Sequence, residues 1–362
     1  MPAGFYSLPI LKLTRETKDA VSITFDVPPH LAAQFQYKAG QYLTFCIIIN
    51  GEEVRRSYSV CSSPVTQTNP TIAVKEVEGG KMSTYLNRVA KEGDVIDVMP
   101  PMGKFIVDPN STAANNYFMF GGGSGITPLL SIIKTVLLTE PFSNCYLVYA
   151  NRDEESIIFK EEIDALSADK DLKVFYSLDN PPANWDGYSG FLSEARVSEL
   201  IRQELGLNFP TAKYYTCGPS AMMQVVENGL KATGVRDENI FVEYFTAVKK
   251  ESSDNATTQD ADGALNYSEE VIERKIKVEV FGQEKEIVVK PHETILIAAQ
   301  QAGLDPPYSC TVGVCTTCRA RLRSGKANME EREGLSDAEI EMGYVLTCQA
   351  HPLSDDVDLV YE

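Results

Sequence analysis

The pattern of apolar and polar positions changes character twice along the chain. Residues 1 to about 110 contain short segments rich in β-branched and aromatic residues, separated by Gly, Pro and Asn. This pattern is typical of strands joined by turns and predicts a small antiparallel β-barrel over residues 1–112. The predicted strands are VSITFDV (21–27), QYLTFCIII (41–49), TIAVKEV (71–77) and DVIDVMP (94–100), with one helical segment, STYLNRVA (83–90).

Strand-like and helix-like segments alternate over residues 113–247. Such alternation predicts βαβ units, and therefore an α/β domain with a parallel sheet. The predicted strands are YFMFGGG (117–123), NCYLVYAN (144–151), LKVFYSLD (172–179) and AKYYTCGP (212–219). The predicted helices are PLLSIIKTVLL (128–138), IIFKEEIDAL (157–166) and SAMMQVVENGLKATG (220–234).

The remaining third of the chain begins with a polar, aperiodic segment, residues 248–270, whose composition predicts a flexible linker. Residues 271–362 then form a third predicted domain. It contains a hairpin (274–290), a short helix (293–303), a cysteine-rich loop and a last strand (357–362).

Composition narrows the functional class. The chain has 362 residues with 51 acidic and 33 basic side chains, a net charge of −18, which disfavours nucleic acid as a partner. No run of 18 apolar residues predicts a membrane span, and the N-terminus lacks the pattern of a secretory signal. Eight cysteines in this length do not form a disulfide scaffold. We therefore expect a cytoplasmic protein whose clustered cysteines bind metal.

Three cysteines lie within nine residues in the segment PYSCTVGVCTTC (307–318). Cys310, Cys315 and Cys318 have the spacing Cys-x4-Cys-x2-Cys of plant-type 2Fe–2S clusters, and Cys348 is available as a fourth ligand. A zinc site is the alternative, although zinc sites more often combine two Cys-x2-Cys pairs, and the second pair is missing here.

The segments that carry these features resemble two known families. Residues 272–362 resemble a plant-type ferredoxin domain with a β-grasp fold, and RRSYSV (55–60) resembles the Arg-x-Tyr-Ser motif of the ferredoxin–NADP reductase superfamily. The resemblance implies a six-stranded flavin-binding barrel. Arg56 can make a bidentate contact with a pyrophosphate, Tyr58 can stack on an isoalloxazine and Ser59 can hydrogen-bond its N5 edge. The alternative is an edge strand with a surface arginine and a half-buried tyrosine.

The segment GGKMST (79–84) follows a predicted strand and opens a helix, whose N-terminus favours a phosphate. Ser83 or Thr84 can cap that helix. By the resemblance, this region holds the second pyrophosphate contact, and FAD is favoured over FMN. The further flavin-binding residues implied are Val74, Lys75, Val77, Lys81, Met82 and Ser83.

Two segments match the nicotinamide half of that superfamily: GGGSGITP (121–128) and YTCGPSAMM (215–223). The resemblance places Cys217 close to the nicotinamide C4, and it places Glu243 and Phe245, from FVEYF (241–245), near the flavin. Ser59, Cys217 and Glu243 are the implied catalytic residues. The implied nucleotide-binding residues are Gly123, Ser124, Gly125, Thr127, Pro128, Asn151, Arg152, Cys217, Gly218, Pro219, Met222 and Phe245.

The choice between NADPH and NADH depends on residues 151–155. Arg152 can meet a 2′-phosphate, whereas Asp153, Glu154 and Glu155 would repel it. NADPH is favoured because such an Asn-Arg pair occurs in relatives that use NADPH, and NADH remains the alternative.

The order flavin, nicotinamide, ferredoxin resembles the reductase components of bacterial multicomponent oxygenases. It implies electron transfer from NAD(P)H through FAD and a 2Fe–2S cluster to an oxygenase partner. By GYVLTCQAHP (343–352) and by the pair RRSYS with GGKMST, the chain most resembles the reductases of phenylacetyl-CoA epoxidases. The alternatives are a reductase for a ring-hydroxylating or steroid oxygenase, and a non-catalytic zinc or electron-carrier adaptor.

Overall fold

A computed structural model of the chain describes residues 2–245 and 272–361. The chain divides into two compact units, of which the first ends at Phe245. The predicted linker, residues 248–270, lies outside the described residues.

The first part of this unit is the predicted antiparallel barrel. Its six strands have the order β4-β3-β6-β1-β2-β5, and the isolated bridge between Val60 and Ile72 joins the two ends of the sheet. The Cys61 amide also donates to the Thr71 carbonyl at 2.8 Å. The elements are β1 (Tyr6–Thr17), β2 (Ala20–Phe25), β3 (Tyr42–Ile49), β4 (Glu52–Ser59), β5 (Thr71–Lys75), α1 (Lys81–Arg88) and β6 (Val95–Val98).

Strand β1 is absent from the sequence-based prediction, although it is the longest strand of the barrel. Its sequence contains Pro9 and several charged residues, which weaken the strand signal. The strand forms because it is paired on both sides, with β2 and with β6.

The second part of the unit is the predicted parallel sheet, with the order β10-β9-β8-β7-β11-β12 and every pair parallel. Helices α2 and α3 cover one face and α4 and α5 the other, so apolar side chains on both faces are buried. The elements are β7 (Asn116–Gly122), α2 (Ile126–Thr139), β8 (Asn144–Asn151), α3 (Lys160–Asp169), β9 (Leu172–Leu178), β10 (Tyr188–Ser189), α4 (Glu194–Leu205), β11 (Lys213–Cys217), α5 (Ser220–Thr233) and β12 (Ile240–Glu243).

Two helices of this domain differ from the prediction. Helix α3 begins at Lys160 and not at residue 157, because Phe159 adopts a left-handed conformation with φ of 61°. Helix α4 is absent from the prediction, although Ser193 caps it and Val197, Leu200 and Ile201 are buried at helical spacing.

The second unit has the predicted β-grasp fold. Its main sheet has the order β14-β13-β19-β15-β17, in which β13 and β19 are parallel, and α6 packs on the core of this sheet. A separate pair, β16 with β18, lies outside the main sheet. The elements are β13 (Arg274–Val280), β14 (Gln283–Val289), α6 (Ile295–Gln301), β15 (Arg319–Ser324), β16 (Ala327–Met329), α7 (Asp337–Glu341), β17 (Tyr344–Leu346), β18 (Ala350–Pro352) and β19 (Asp358–Val360).

Helices α2 and α5, with 14 residues each, are the longest among the described residues. A transmembrane helix requires about 20 predominantly apolar residues. Accordingly, residues 2–245 and 272–361 contain no helix long and apolar enough to cross a membrane.

Candidate functional site

Two adjacent arginines on β4 face opposite sides of the strand. Arg55 is buried on the outer side, where its Nε donates to Glu53 at 2.8 Å and its guanidinium lies 5.1 Å from the centre of the Phe5 ring. Arg56 is exposed and shares its strand face with Tyr58, which packs on the barrel core. Arg56 is therefore the arginine that a ligand can reach.

The Tyr58 ring lies in an apolar setting next to Phe45, with the ring centroids 5.8 Å apart. Burial raises the pKa of the Tyr58 phenol above its ordinary value, so the phenol stays neutral. A neutral aromatic ring on the same face as Arg56 suits a stacking partner for a planar, apolar ring system.

The N-terminus of α1 has no side-chain cap. Gly80 is the N-cap residue, and Ser83 instead accepts from the Val77 amide at 3.1 Å and donates to the Gly80 carbonyl at 3.2 Å. The prediction that Ser83 or Thr84 caps this helix is therefore wrong. Because the first N–H groups of a helix have no partner within it, this end can bind an anion.

The other predicted flavin-binding side chains are placed less favourably. Val74 and Met82 are buried in the barrel core. Lys75 and Lys81 form ion pairs with acidic side chains of the barrel domain. Val77 lies beyond the end of β5 and is exposed. At Val74 and Met82, therefore, only the backbone is available to a ligand.

Glycines bring the loops after β7 and β11 into backbone contact. A Cβ atom on Gly125 would collide with the Cys217 carbonyl, and one on Gly122 would lie 2.6 Å from Pro219 Cδ. A Cβ atom on Gly218 would lie only 3.0 Å from Gly122 Cα. At these three glycines there is no room for a side chain, so the two loops form a close backbone cradle, as a dinucleotide-binding turn requires.

A buried tyrosine, which the sequence-based prediction missed, holds the loop after β7 by a hydrogen bond to its backbone. Tyr149 on β8 donates from its hydroxyl to the Gly123 carbonyl at 2.9 Å. At the start of α2, Thr127 donates to the Ser124 carbonyl at 3.0 Å, and Pro128 occupies the first helical turn. The one sequence signal for Tyr149 is the alternation of side chains along β8, which indicates the face of the sheet on which Tyr149 lies. Alternation does not reveal that Gly123 is its hydrogen-bond partner.

Asn151 ends β8 and is buried next to the Tyr149 hydroxyl, yet neither its amide nitrogen nor its amide oxygen makes a hydrogen bond of normal geometry in the described part of the chain. A buried amide in this state fits a bound ligand that supplies the partners. Next to it, the Arg152 Nε donates to the Asp153 carboxylate at 2.8 Å, and this contact holds the pKa of Asp153 below its usual range. Asp153 also caps a short turn by accepting from the Ser156 amide at 2.9 Å.

The three predicted catalytic residues come together from three separate strands. Ser59, at the end of β4, donates to the Glu243 carboxylate at 3.2 Å, and Glu243 pairs in register with Cys217 across β12 and β11. Desolvation raises the pKa of Glu243 to about 8, and the nearby Glu243 charge adds to the desolvation that raises the pKa of Cys217. Phe245, with 39% of its surface exposed, lies two residues beyond Glu243.

In the second unit, the four predicted ligand cysteines form two pairs. A hydrogen bond from Cys315 is the main reason why the pKa of Cys310 falls to about 5, and one from Cys318 lowers the pKa of Cys348. Within residues 2–245 and 272–361, no three or more His, Cys, Asp or Glu side chains converge on one metal ion. The pairing of the four thiols suits two irons that each take two thiolates.

Comparisons with known proteins agree with these features. Three family models match: an oxidoreductase FAD-binding domain over residues 7–106, an oxidoreductase NAD-binding domain over 119–228 and a 2Fe-2S iron-sulfur cluster binding domain over 278–353. One of the subunits of 1,2-phenylacetyl-CoA epoxidase from Escherichia coli (strain K12) is 37% identical over 366 residues, which cover 98% of this chain and 96% of that protein. The chain belongs to the ferredoxin–NADP reductase superfamily, in the group with a C-terminal 2Fe–2S domain.

Other members of this reductase group serve different oxygenases. The ferredoxin reductase component of 3-ketosteroid-9-alpha-monooxygenase from Rhodococcus rhodochrous is 32% identical and covers 98% of this chain and 96% of its own length. Phthalate dioxygenase reductase, a solved structure, covers 99% of this chain and 98% of its own, with a TM-score of 0.60 and 24% identity. That structural likeness shows the shared fold.

These findings establish the chemistry of the chain. It is a flavin-dependent oxidoreductase that transfers electrons from NAD(P)H through FAD to a 2Fe–2S cluster. Its relatives are reductase components that work with an oxygenase component.

Proposed function

We propose that this reductase supplies electrons to a phenylacetyl-CoA epoxidase. The observation that supports this partner is the 37% identity to the epoxidase protein along nearly the whole chain, against 32% for the ketosteroid reductase and 29% for the glycine betaine monooxygenase reductase of Pseudomonas aeruginosa. A ketosteroid or another oxygenase is the second candidate. The predicted cytoplasmic location stays a prediction.

The partner is tested by coupled turnover. The purified reductase is combined with the oxygenase components of a phenylacetyl-CoA epoxidase or of a 3-ketosteroid hydroxylase, and product formation per NAD(P)H consumed is measured. We expect tight coupling with the epoxidase alone. Equal or better coupling with the steroid enzyme would overturn the assignment.

The flavin contacts assigned in this proposal follow the geometry of the barrel. Arg56 and the uncapped N-terminus of α1 bind the pyrophosphate of FAD, and Tyr58 stacks against its ring. FAD held there would supply the change from two-electron transfer by the nicotinamide to one-electron transfer to the cluster. The protein contributes binding and orientation.

Ser59, Glu243 and Cys217 line the place where the nicotinamide and the flavin meet in this proposal. With a pKa of about 8, the Glu243 carboxyl holds a proton at neutral pH and shares a hydrogen bond with the Ser59 hydroxyl. The raised pKa of Cys217 keeps its thiol neutral, so it offers a compact, uncharged surface that positions the nicotinamide ring.

Arg152 is the residue that selects NADPH in this proposal. Asp153, the acidic neighbour of Arg152, is held in place because its carboxylate caps a short turn. Although Arg152 contacts Asp153, 47% of the Arg152 side-chain surface stays exposed and available to a 2′-phosphate. The test compares kcat/KM for NADPH and NADH in the wild type and in Arg152→Ala. We expect the NADPH preference to fall, while a wild type that prefers NADH would contradict the assignment.

Cys310, Cys315, Cys318 and Cys348 hold the 2Fe–2S cluster in this proposal, with two thiolates on each iron. Iron, sulfide, flavin and zinc analysis of the purified protein tests this assignment, together with bleaching of the visible absorption by NAD(P)H. A colourless protein that contains zinc would instead support the adaptor alternative.

A further inference from the structure

We propose that Gln349 is a positioning residue that fastens the cysteine loop to the segment bearing Cys348, and that it thereby tunes the cluster and protects it from loss. The proposal rests on the assignment of the four cysteines to a 2Fe–2S cluster. Gln349 itself does not touch the irons in this role. It acts through the backbone of the loop and through a side-chain hydrogen bond to the Cys348 thiol.

The side-chain amide of Gln349 connects two distant parts of the cysteine site. Its Nε2 donates to the Thr311 carbonyl at 2.9 Å, 38 positions earlier in the chain, and to the Cys348 carbonyl at 3.1 Å. The first contact reaches the residue directly after Cys310. One amide group therefore joins the segment of the first ligand to the segment of the fourth.

The backbone of Gln349 is itself held on both sides. Its amide donates to the Leu346 carbonyl at 2.9 Å, and its carbonyl accepts from the Glu330 amide at 3.1 Å. The side chain therefore extends from a fixed base, which a positioning residue requires.

The loop needs such an anchor because its backbone is strained at Thr311. This β-branched residue has a φ of 58°, in the left-handed region that β-branched residues rarely adopt. Gly313 follows with a φ of 78°, and a Cβ atom there would lie 3.1 Å from Gln349 Cγ. Gln349 thus fixes the Thr311 peptide by hydrogen bonding and packs against the next turn of the loop.

The orientation of these peptides controls the donors that face sulfur. The Cys315 amide donates to Cys310 Sγ at 3.4 Å, and the Val312 and Val314 backbones also form hydrogen bonds with this sulfur. Such N–H donors stabilise negative charge on the sulfurs and raise the reduction potential of a cluster. If the Thr311 peptide is released, these donors are less well aimed, and the potential falls.

Two variants test the proposal in the full-length holoprotein. Gln349→Met keeps the chain length but removes the amide, and Gln349→Glu keeps the shape but replaces the donor by a carboxylate. Gln283→Met, at an exposed position on β14, is the matched control. The readouts are the cluster reduction potential, by titration monitored with electron paramagnetic resonance, and the rate of iron release to a chelator.

We expect both Gln349 variants to shift the reduction equilibrium about fivefold toward the oxidised cluster, the effect of one lost hydrogen bond. For a one-electron couple this corresponds to about 40 mV. We also expect iron release several times faster than in the wild type. Complete failure of both variants to retain iron, with normal FAD content, would likewise support the role of Gln349. Gln283→Met should match the wild type.

The outcomes separate this inference from the proposed function. If the wild type gives no 2Fe–2S signal in electron paramagnetic resonance, the assignment of the cluster itself is wrong. If the wild type gives the signal but the Gln349 variants show an unchanged reduction potential and unchanged iron release, the proposed role of Gln349 is wrong. The proposed reductase function is then unaffected.

Discussion

The hydroxyl of Ser59 lies 3.2 Å from the carboxylate of Glu243, although 184 positions separate the two residues. The contact joins the last residue of barrel strand β4 to the last residue of the edge strand β12 of the parallel sheet. Because Glu243 is also the register partner of Cys217, one small area contains a hydroxyl, a carboxyl and a thiol.

Stability should depend on pH through Glu243. Its pKa rises from 4.5 to about 8 on folding, so the folded protein holds this proton more tightly than the unfolded chain. The free energy of unfolding of the cofactor-free protein should therefore fall as the pH rises from about 4.5 to about 8. Glu243→Gln should remove this decrease, which denaturant titrations at pH 5, 7 and 9 can measure. Equal pH profiles for the two proteins would show that Glu243 is not responsible.

Cys217→Ala should slow flavin reduction by about ten- to a hundredfold, because a small misplacement of reacting groups has effects of this size. Stopped-flow measurement of flavin bleaching by NAD(P)H gives the rate. Cys145→Ala is the matched control, since Cys145 is a buried thiol on β8, two strands from β11 in the same sheet. The control should lose stability but keep its rate of flavin reduction, and equal slowing of both variants would point to a general packing effect.

Arg56→Ala and Arg55→Ala should separate flavin binding from stability. Removing the exposed Arg56 should weaken FAD binding about ten- to a hundredfold, the effect of a lost charge-assisted hydrogen bond, with little change in stability. Arg55→Ala removes a buried side chain that contacts Glu53 and Phe5, so it should mainly destabilise the barrel. Fluorescence titration of FAD and denaturant unfolding distinguish these results, and the reverse pattern would show that Arg55 is the ligand.

Gly125→Ala should impair nucleotide binding far more than Gly123→Ala. A Cβ atom at Gly125 collides with the Cys217 carbonyl and pushes the two nucleotide loops apart, whereas a Cβ atom at Gly123 has no atom within 4 Å. We expect overpacking at Gly125 to destabilise the protein by about 1–3 kcal/mol and to raise the KM for NAD(P)H. At Gly123, where φ is 52°, only a local strain of about 1 kcal/mol is expected. Similar KM values for the two variants would argue against the cradle.

Much of the architecture could be predicted from the sequence. The change from strand segments to alternating strands and helices gives the barrel and the parallel sheet, and the short cysteine spacing gives the cluster loop, because each signal lies within a few consecutive residues. Local signals failed where neighbours decide the conformation. Strand β1 forms because it is paired on both sides, and α3 begins late because Phe159 is left-handed.

The sequence by itself determined the order of the domains and the residue types available for each cofactor. Only the tertiary structure decided that Ser59 meets Glu243, that the four thiols associate two by two and that Gln349 reaches Thr311. The physical reason is the distance along the chain over which each signal acts. Periodicity and spacing act along a few turns of chain, whereas these contacts join segments that become neighbours only after sheets pair and loops pack.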